Sequence, residues 1–75
     1  MKSRYTAIMK LVDETYGHYK CYGRVVKDSI RKCLEFQKEF IKNDVLLSNE
    51  EKKDMCLYIT TYIVDIYLDE YPRHD

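Results

Sequence analysis

Apolar residues in the first sixteen positions recur at helical spacing. At about 100° per residue, Tyr5, Ile8, Met9, Val12 and Tyr16 fall on one stripe, with Leu11 and Thr15 at its edge and Lys10, Asp13 and Glu14 away from it. That is the pattern of an amphipathic helix covering a core. Ser3 stands where an N-cap hydroxyl accepts from first-turn amides. Gly17 is the expected terminator, because glycine takes the left-handed backbone that ends helices. Continuation through Tyr19 to Gly23 is the alternative. The segment from Gly17 to Gly23 reads as a connector: Tyr19, Cys21 and Val25 alternate, but a single short strand has no pairing partner in this chain.

A second helix is predicted over 24–42. Val26, Ile30, Cys33, Gln37 and Phe40 form the centre of its apolar face, and Leu34, Ile41, Phe36 and Val25 widen that face to about half the circumference. Charged residues occupy the rest, with Asp28 and Lys32 spaced for an i,i+4 ion pair. Lys38 and Lys42 suit the negative end of the helix dipole. Asn43-Asp44 breaks the pattern, and Val45-Leu46-Leu47 is expected to plug the end of the bundle.

The third helix, 48–71, opens on the clearest local signal in the chain. Ser48-Asn49-Glu50-Glu51 is a capping box, in which the serine hydroxyl accepts from the amide three residues on and the glutamate reaches back. Pro72 ends the helix by disfavouring helical geometry at Tyr71. Met55, Ile59, Tyr62, Ile63 and Ile66 share one face, with Cys56 beside them, and read as the core side. Leu57, Val64 and Leu68 fall on the opposite face, and Tyr67 and Tyr71 lie between the two. A second apolar face is either buried by helix 3 sitting between the other two helices, or it is a contact with another molecule. Asp54, Tyr58, Thr61, Asp65 and Asp69 form an acidic stripe beside it, which is either solvated or a docking surface for basic residues.

The predicted architecture is therefore all-α, a small antiparallel three-helix bundle with helices near 3–16, 24–42 and 48–71, one domain over 1–75, open to completion by dimerisation. Composition supports it: two glycines, one proline and many Lys, Glu and Leu favour ordered helices. Seventy-five residues bury only a modest core, so association or tight packing must add stability.

The formal net charge is zero, but it is unevenly spread. Residues 1–42 hold ten Lys/Arg against five Asp/Glu, and residues 43–75 hold three against eight. The two halves either attract one another within the bundle or present opposite charge to a partner. The opening segment has a charge in each turn and no continuous apolar region of the kind a secretory signal needs. No apolar run approaches the length of a membrane span. With three cysteines, an odd count, a reducing cytoplasmic setting is expected.

Candidate chemistry is sparse. His18 and Cys21 have a ligand-like spacing that Cys33 and Cys56 would complete as a zinc site, but strong zinc signatures show two close pairs, and Cys33 and Cys56 read as core residues. No cofactor or metal is expected. A Cys21–His18 pair is too little for nucleophilic catalysis, and there is no glycine-rich phosphate loop, so the sequence argues against an enzyme.

The expected function is a small soluble protein-interaction module that binds, and modulates or inhibits, another protein. Its contact surface is Leu57, Val64 and Leu68 with Tyr67, Tyr71, Tyr58, Asp54, Asp65 and Asp69 around them, and self-association through that face is the nested alternative. Eight tyrosines support contact in general, since tyrosine is enriched at interface cores. A different class remains open: nucleic-acid binding through Tyr19, Lys20, Tyr22 and Arg24, whose rings would stack on bases, with Lys27, Arg31 and Lys38 tracking the backbone. Glu35 interrupts that basic stripe. A single alanine, Ala7, in a chain rich in Lys, Tyr, Ile and Asp suits an AT-rich genome, and the short chain suits a phage or mobile element.

Overall fold

The computed structural model describes residues 3–68, and these form three helices packed as a small bundle. Helix α1 spans Arg4–Tyr22, a 3-10 turn covers Gly23–Val26, α2 spans Lys27–Lys42 and α3 spans Asn49–Leu68. Among the described residues there is no strand. The bundle measures 44 × 21 × 17 Å along its principal axes. Helix α3 packs chiefly on α2, and α1 also packs chiefly on α2. The expected Tyr71 and Pro72 terminus of helix 3 lies outside the described residues.

The N-cap expectations hold. Ser3 Oγ accepts from the Thr6 amide at 3.1 Å. At the start of α3 the Glu51 amide donates to Ser48 Oγ at 3.1 Å, and the Ser48 amide donates to Glu51 Oε1 at 2.9 Å. Both ends of the capping box are thus made.

Helix α1 does not stop at Gly17, and the segment expected as a connector is its last turns. Tyr19 continues the core stripe of Met9 and Val12 and is buried. Burying a tyrosine outweighs the cost of about 1 kcal/mol for a glycine inside a helix. Termination falls to Gly23, whose φ of 67° is the one positive value among the described residues, and whose N–H donates to the Tyr19 carbonyl.

Helix α2 is rotated from its expected setting. Leu34 and Ile41 are fully buried, with Ile30 partly buried beside them, whereas Cys33, Phe36 and Phe40 are exposed. The apolar arc of α2 is wider than two neighbouring helices cover. The part between α1 and α3 enters the core, and the rest is left outside. Asp28 pairs with Arg31, three residues on, at 3.6 Å.

The Val45-Leu46-Leu47 link does not plug the bundle as a unit. Leu47 is buried, but Val45 and Leu46 are exposed. Asp44 takes the inward place instead. Its carboxylate accepts from Arg4 Nε at 2.7 Å and from the Leu46 amide at 2.9 Å. The Leu46 amide, the largest influence, and then Arg4 hold the Asp44 carboxyl below its ordinary value against the opposing effect of burial. This contact fastens the start of α1 to the loop before α3.

The core is Met9, Val12 and Tyr19 from α1, Leu34 and Ile41 from α2, Leu47 from the loop, and Met55, Ile59 and Ile66 from α3. Polar contacts join α1 to α3 at its edge. The Tyr16 and Tyr62 rings stack at 4.0 Å, nearly parallel. Tyr62 donates to Asp13 at 2.6 Å, Tyr58 and Tyr62 hydroxyls lie 3.1 Å apart, and Tyr16 donates to Asp65. Burial first, and then the Asp13 carboxylate and the Tyr58 hydroxyl, push the Tyr62 phenol well above its ordinary value.

Candidate protein-interaction site

With Met55, Ile59 and Ile66 turned into the core, the opposite side of α3 faces outward. Leu57, Val64 and Leu68 are 67, 47 and 57% exposed. Among the described residues no other helix buries this face. Leu57, Thr61, Val64 and Leu68 follow each other at intervals of four, three and four residues, the spacing of a helix–helix seam. Thr61 Oγ1 donates to the Leu57 carbonyl, which satisfies its hydroxyl within the helix.

The expected rim residues divide. Tyr67 stands half-exposed at the edge, with the Arg31 guanidinium over its ring at 5.0 Å. Tyr58 is exposed and meets the Tyr62 ring edge-on at 5.0 Å. Asp54 is exposed. Asp65 is partly buried and receives the Tyr16 hydroxyl, so it belongs to the α1–α3 joint as much as to the rim. Asp69 and Tyr71 lie outside the described residues.

The residues of the nucleic-acid reading differ in exposure and in what they contact. Tyr19 is buried, and its ring cannot stack on a base. Lys20 lies over the Tyr16 ring at 5.5 Å, and Tyr22 is exposed at the end of α1. Arg24 is exposed on the 3-10 turn and Lys27 is half-buried. Arg31 is engaged by Asp28 and Tyr67, and Lys38 Nζ donates to Thr60 Oγ1 at 2.9 Å.

His18 and Cys21 lie one turn apart beside a shallow surface hollow that also involves Glu14, Gly17 and Tyr22. Among the described residues no three side chains of metal-binding type converge. All three cysteines are free. Cys21 and Cys33 are exposed, the latter against expectation, and Cys56 is half-buried.

Sequence reasoning missed a second apolar surface. Ile8, Leu11 and Val12 of α1 face Cys33, Phe36 and Phe40 of α2 across a groove of about 360 Å³. It continues past Phe36 and Phe40 to Val45 and Leu46 at the loop. Phe36 is 72% and Phe40 51% exposed. Gln37, beside the groove, donates to Thr15 Oγ1 at 2.9 Å, while its buried Oε1 has no hydrogen-bond partner among the described residues. The signal was present in the half-circumference width of the α2 apolar face, which two neighbours do not cover.

Among the described residues no helix is long and apolar enough to cross a membrane. No protein-family model, curated protein or solved structure matches the chain.

Proposed function

We propose that this chain is a helical protein-interaction module, and that the outer face of α3 is the surface it offers to another protein. One observation carries the reading: among the described residues twelve large apolar or aromatic side chains are exposed, against nine in the buried core. Single exposed apolar residues are ordinary, but aligned ones mark contact surfaces. Leu57, Val64 and Leu68 are aligned along one helix, with Tyr58 and Tyr67 at the edges to supply large, stiff contact area.

The chemistry of the face describes its partner. A seam of alternating four- and three-residue steps accepts an amphipathic helix whose own apolar residues follow the same steps. Asp54 at the edge favours Lys or Arg on the flank of that helix. Binding that modulates or inhibits the partner is the function such a module performs.

Affinity capture from cells of the native host tests this, comparing the unaltered chain with Leu57→Asp/Val64→Asp. A specific protein retained by the first and lost with the second, at unchanged helical circular dichroism, is the expected result. Equal recovery by both, or no specific protein at all, overturns the assignment.

A further inference from the structure

The groove face between α1 and α2 differs from the α3 seam in width and in symmetry. It is two helices wide, whereas the seam is one ridge. Helix α2 has 16 residues, so at about 1.5 Å per residue the face runs about 24 Å, and two adjacent helices make it about 20 Å wide. That is a footprint of about 480 Å² before side-chain relief, which approaches the roughly 800 Å² per partner of a standard-size specific interface. The α3 ridge is too narrow to reach this by itself.

We infer that a second copy of this chain covers the α1/α2 face, with the two α2 helices antiparallel about a twofold axis near Phe36. Charge and shape along α2 support that arrangement. Lys32 and Glu39 are seven residues apart on one side of the helix, and Phe36 stands between them. Antiparallel pairing centred there sets Lys32 of each copy against Glu39 of the other, twice by symmetry. Parallel pairing would set Lys32 on Lys32 and Glu39 on Glu39, which repel. Glu39 already holds Lys42 at 3.2 Å, an exposed contact that exchange with Lys32 of the other copy replaces at little cost. The exposed ends match as well: Val25 precedes α2 and Leu46 follows it, both outside the core, and antiparallel pairing brings each to the other's end of the partner helix. Phe36 of one copy meets Phe36 of its mate at the centre, where aromatic pairs contribute most.

The assembly leaves both α3 seams facing outward. It therefore presents two partner sites, and tethering the two gives avidity toward a partner that is itself multivalent.

Light scattering on a sizing column, from about 1 to 500 μM, tests the inference. A dimer is expected for the unaltered chain. Phe36→Asp gives a monomer with unchanged circular dichroism, since the residue is exposed and its loss does not open the core. Lys32→Glu weakens the dimer by about tenfold or more, and Lys32→Glu with Glu39→Lys restores it. A monomer at every concentration overturns the inference. So does a dimer that survives Phe36→Asp, one lost instead with Val64→Asp, or a double charge exchange that fails to rescue. The capture experiment on α3 is read separately, so a monomer that still retains its partner sinks the dimer and leaves the module standing.

Discussion

Alanine substitutions two residues apart on α3 measure how differently its two sides are used. Ile59 is fully buried and Leu57 is 67% exposed. Ile59→Ala removes a side chain from a closed core and leaves a cavity, costing about 2–5 kcal/mol. A 75-residue domain has about 4–11 kcal/mol of stability at the usual 0.05–0.15 kcal/mol per residue, so this one change removes a large part of it. Leu57 has about a third of its surface covered. Scaling the 1.5–3 kcal/mol of a fully buried leucine gives about 0.5–1 kcal/mol, and alanine recovers a few tenths (~0.2) through its helix propensity. The net effect is about 0.5 kcal/mol. Urea titration followed by circular dichroism reads both. With a slope of about 1 kcal/mol per M for a chain this small, Ile59→Ala lowers the midpoint by about 2 M or more, and Leu57→Ala by about 0.5 M. Equal losses, or a larger loss at Leu57, would refute the placement of the two faces. Where association contributes to stability, the titration is made on Phe36→Asp backgrounds.

Four further changes probe the helix ends and joints. Gly17→Ala raises the thermal midpoint by the equivalent of about 0.5–1 kcal/mol, because the position is inside α1 and a Cβ there meets nothing within 4 Å; Gly23→Ala lowers it by about 1–2 kcal/mol, since φ is 67°. Tyr62→Phe costs about 1 kcal/mol at neutral pH through loss of the bond to Asp13. The Tyr62 phenol is raised in the fold, so its contribution is whole below the unfolded value near 10.0 and falls as pH rises toward the folded value. Phenolate absorbance should therefore show one tyrosine ionising only with unfolding, and lose that late step in Tyr62→Phe. Asp44→Asn destabilises at pH 7, and its deficit against the unaltered chain shrinks in acid. The Asp44 carboxyl is lowered in the fold, so its stabilisation is present above the unfolded value near 3.8 and fades as pH drops through the folded one. A deficit independent of pH in thermal melts from pH 7 to 2 would contradict the role given to its charge.

What was legible in the chain and what was not divides along local and tertiary lines. The capping box at Ser48 and the cap at Ser3 depend on residues within one turn, and both formed as read. The core stripe of α3 and its opposed apolar face were equally plain, because the phase of one helix is set by its own residues. The end of α1 was harder, since Gly17 offers a stop that Tyr19 overrides by burial, a gain that exists only once α2 and α3 are in place. The setting of α2 was harder still. Its wide apolar arc permits several rotations, and which part is buried depends on where two other helices lean. Phe36 and Phe40 were therefore assigned to a core that did not reach them. Asp44 reads in the sequence only as a helix break, because its inward role comes from Arg4, forty residues away in the chain.

The central claim is that the outer face of α3 receives another protein. It is tested most directly by placing a photo-crosslinking residue at Leu57 in the chain expressed in its native cells, with the same group at exposed Lys10 on α1 as the comparison. The account predicts a discrete covalent adduct from position 57 that joins the chain to a different protein and is missing from position 10. Adducts that are the same at both positions, or only the chain joined to itself at 57, would contradict it.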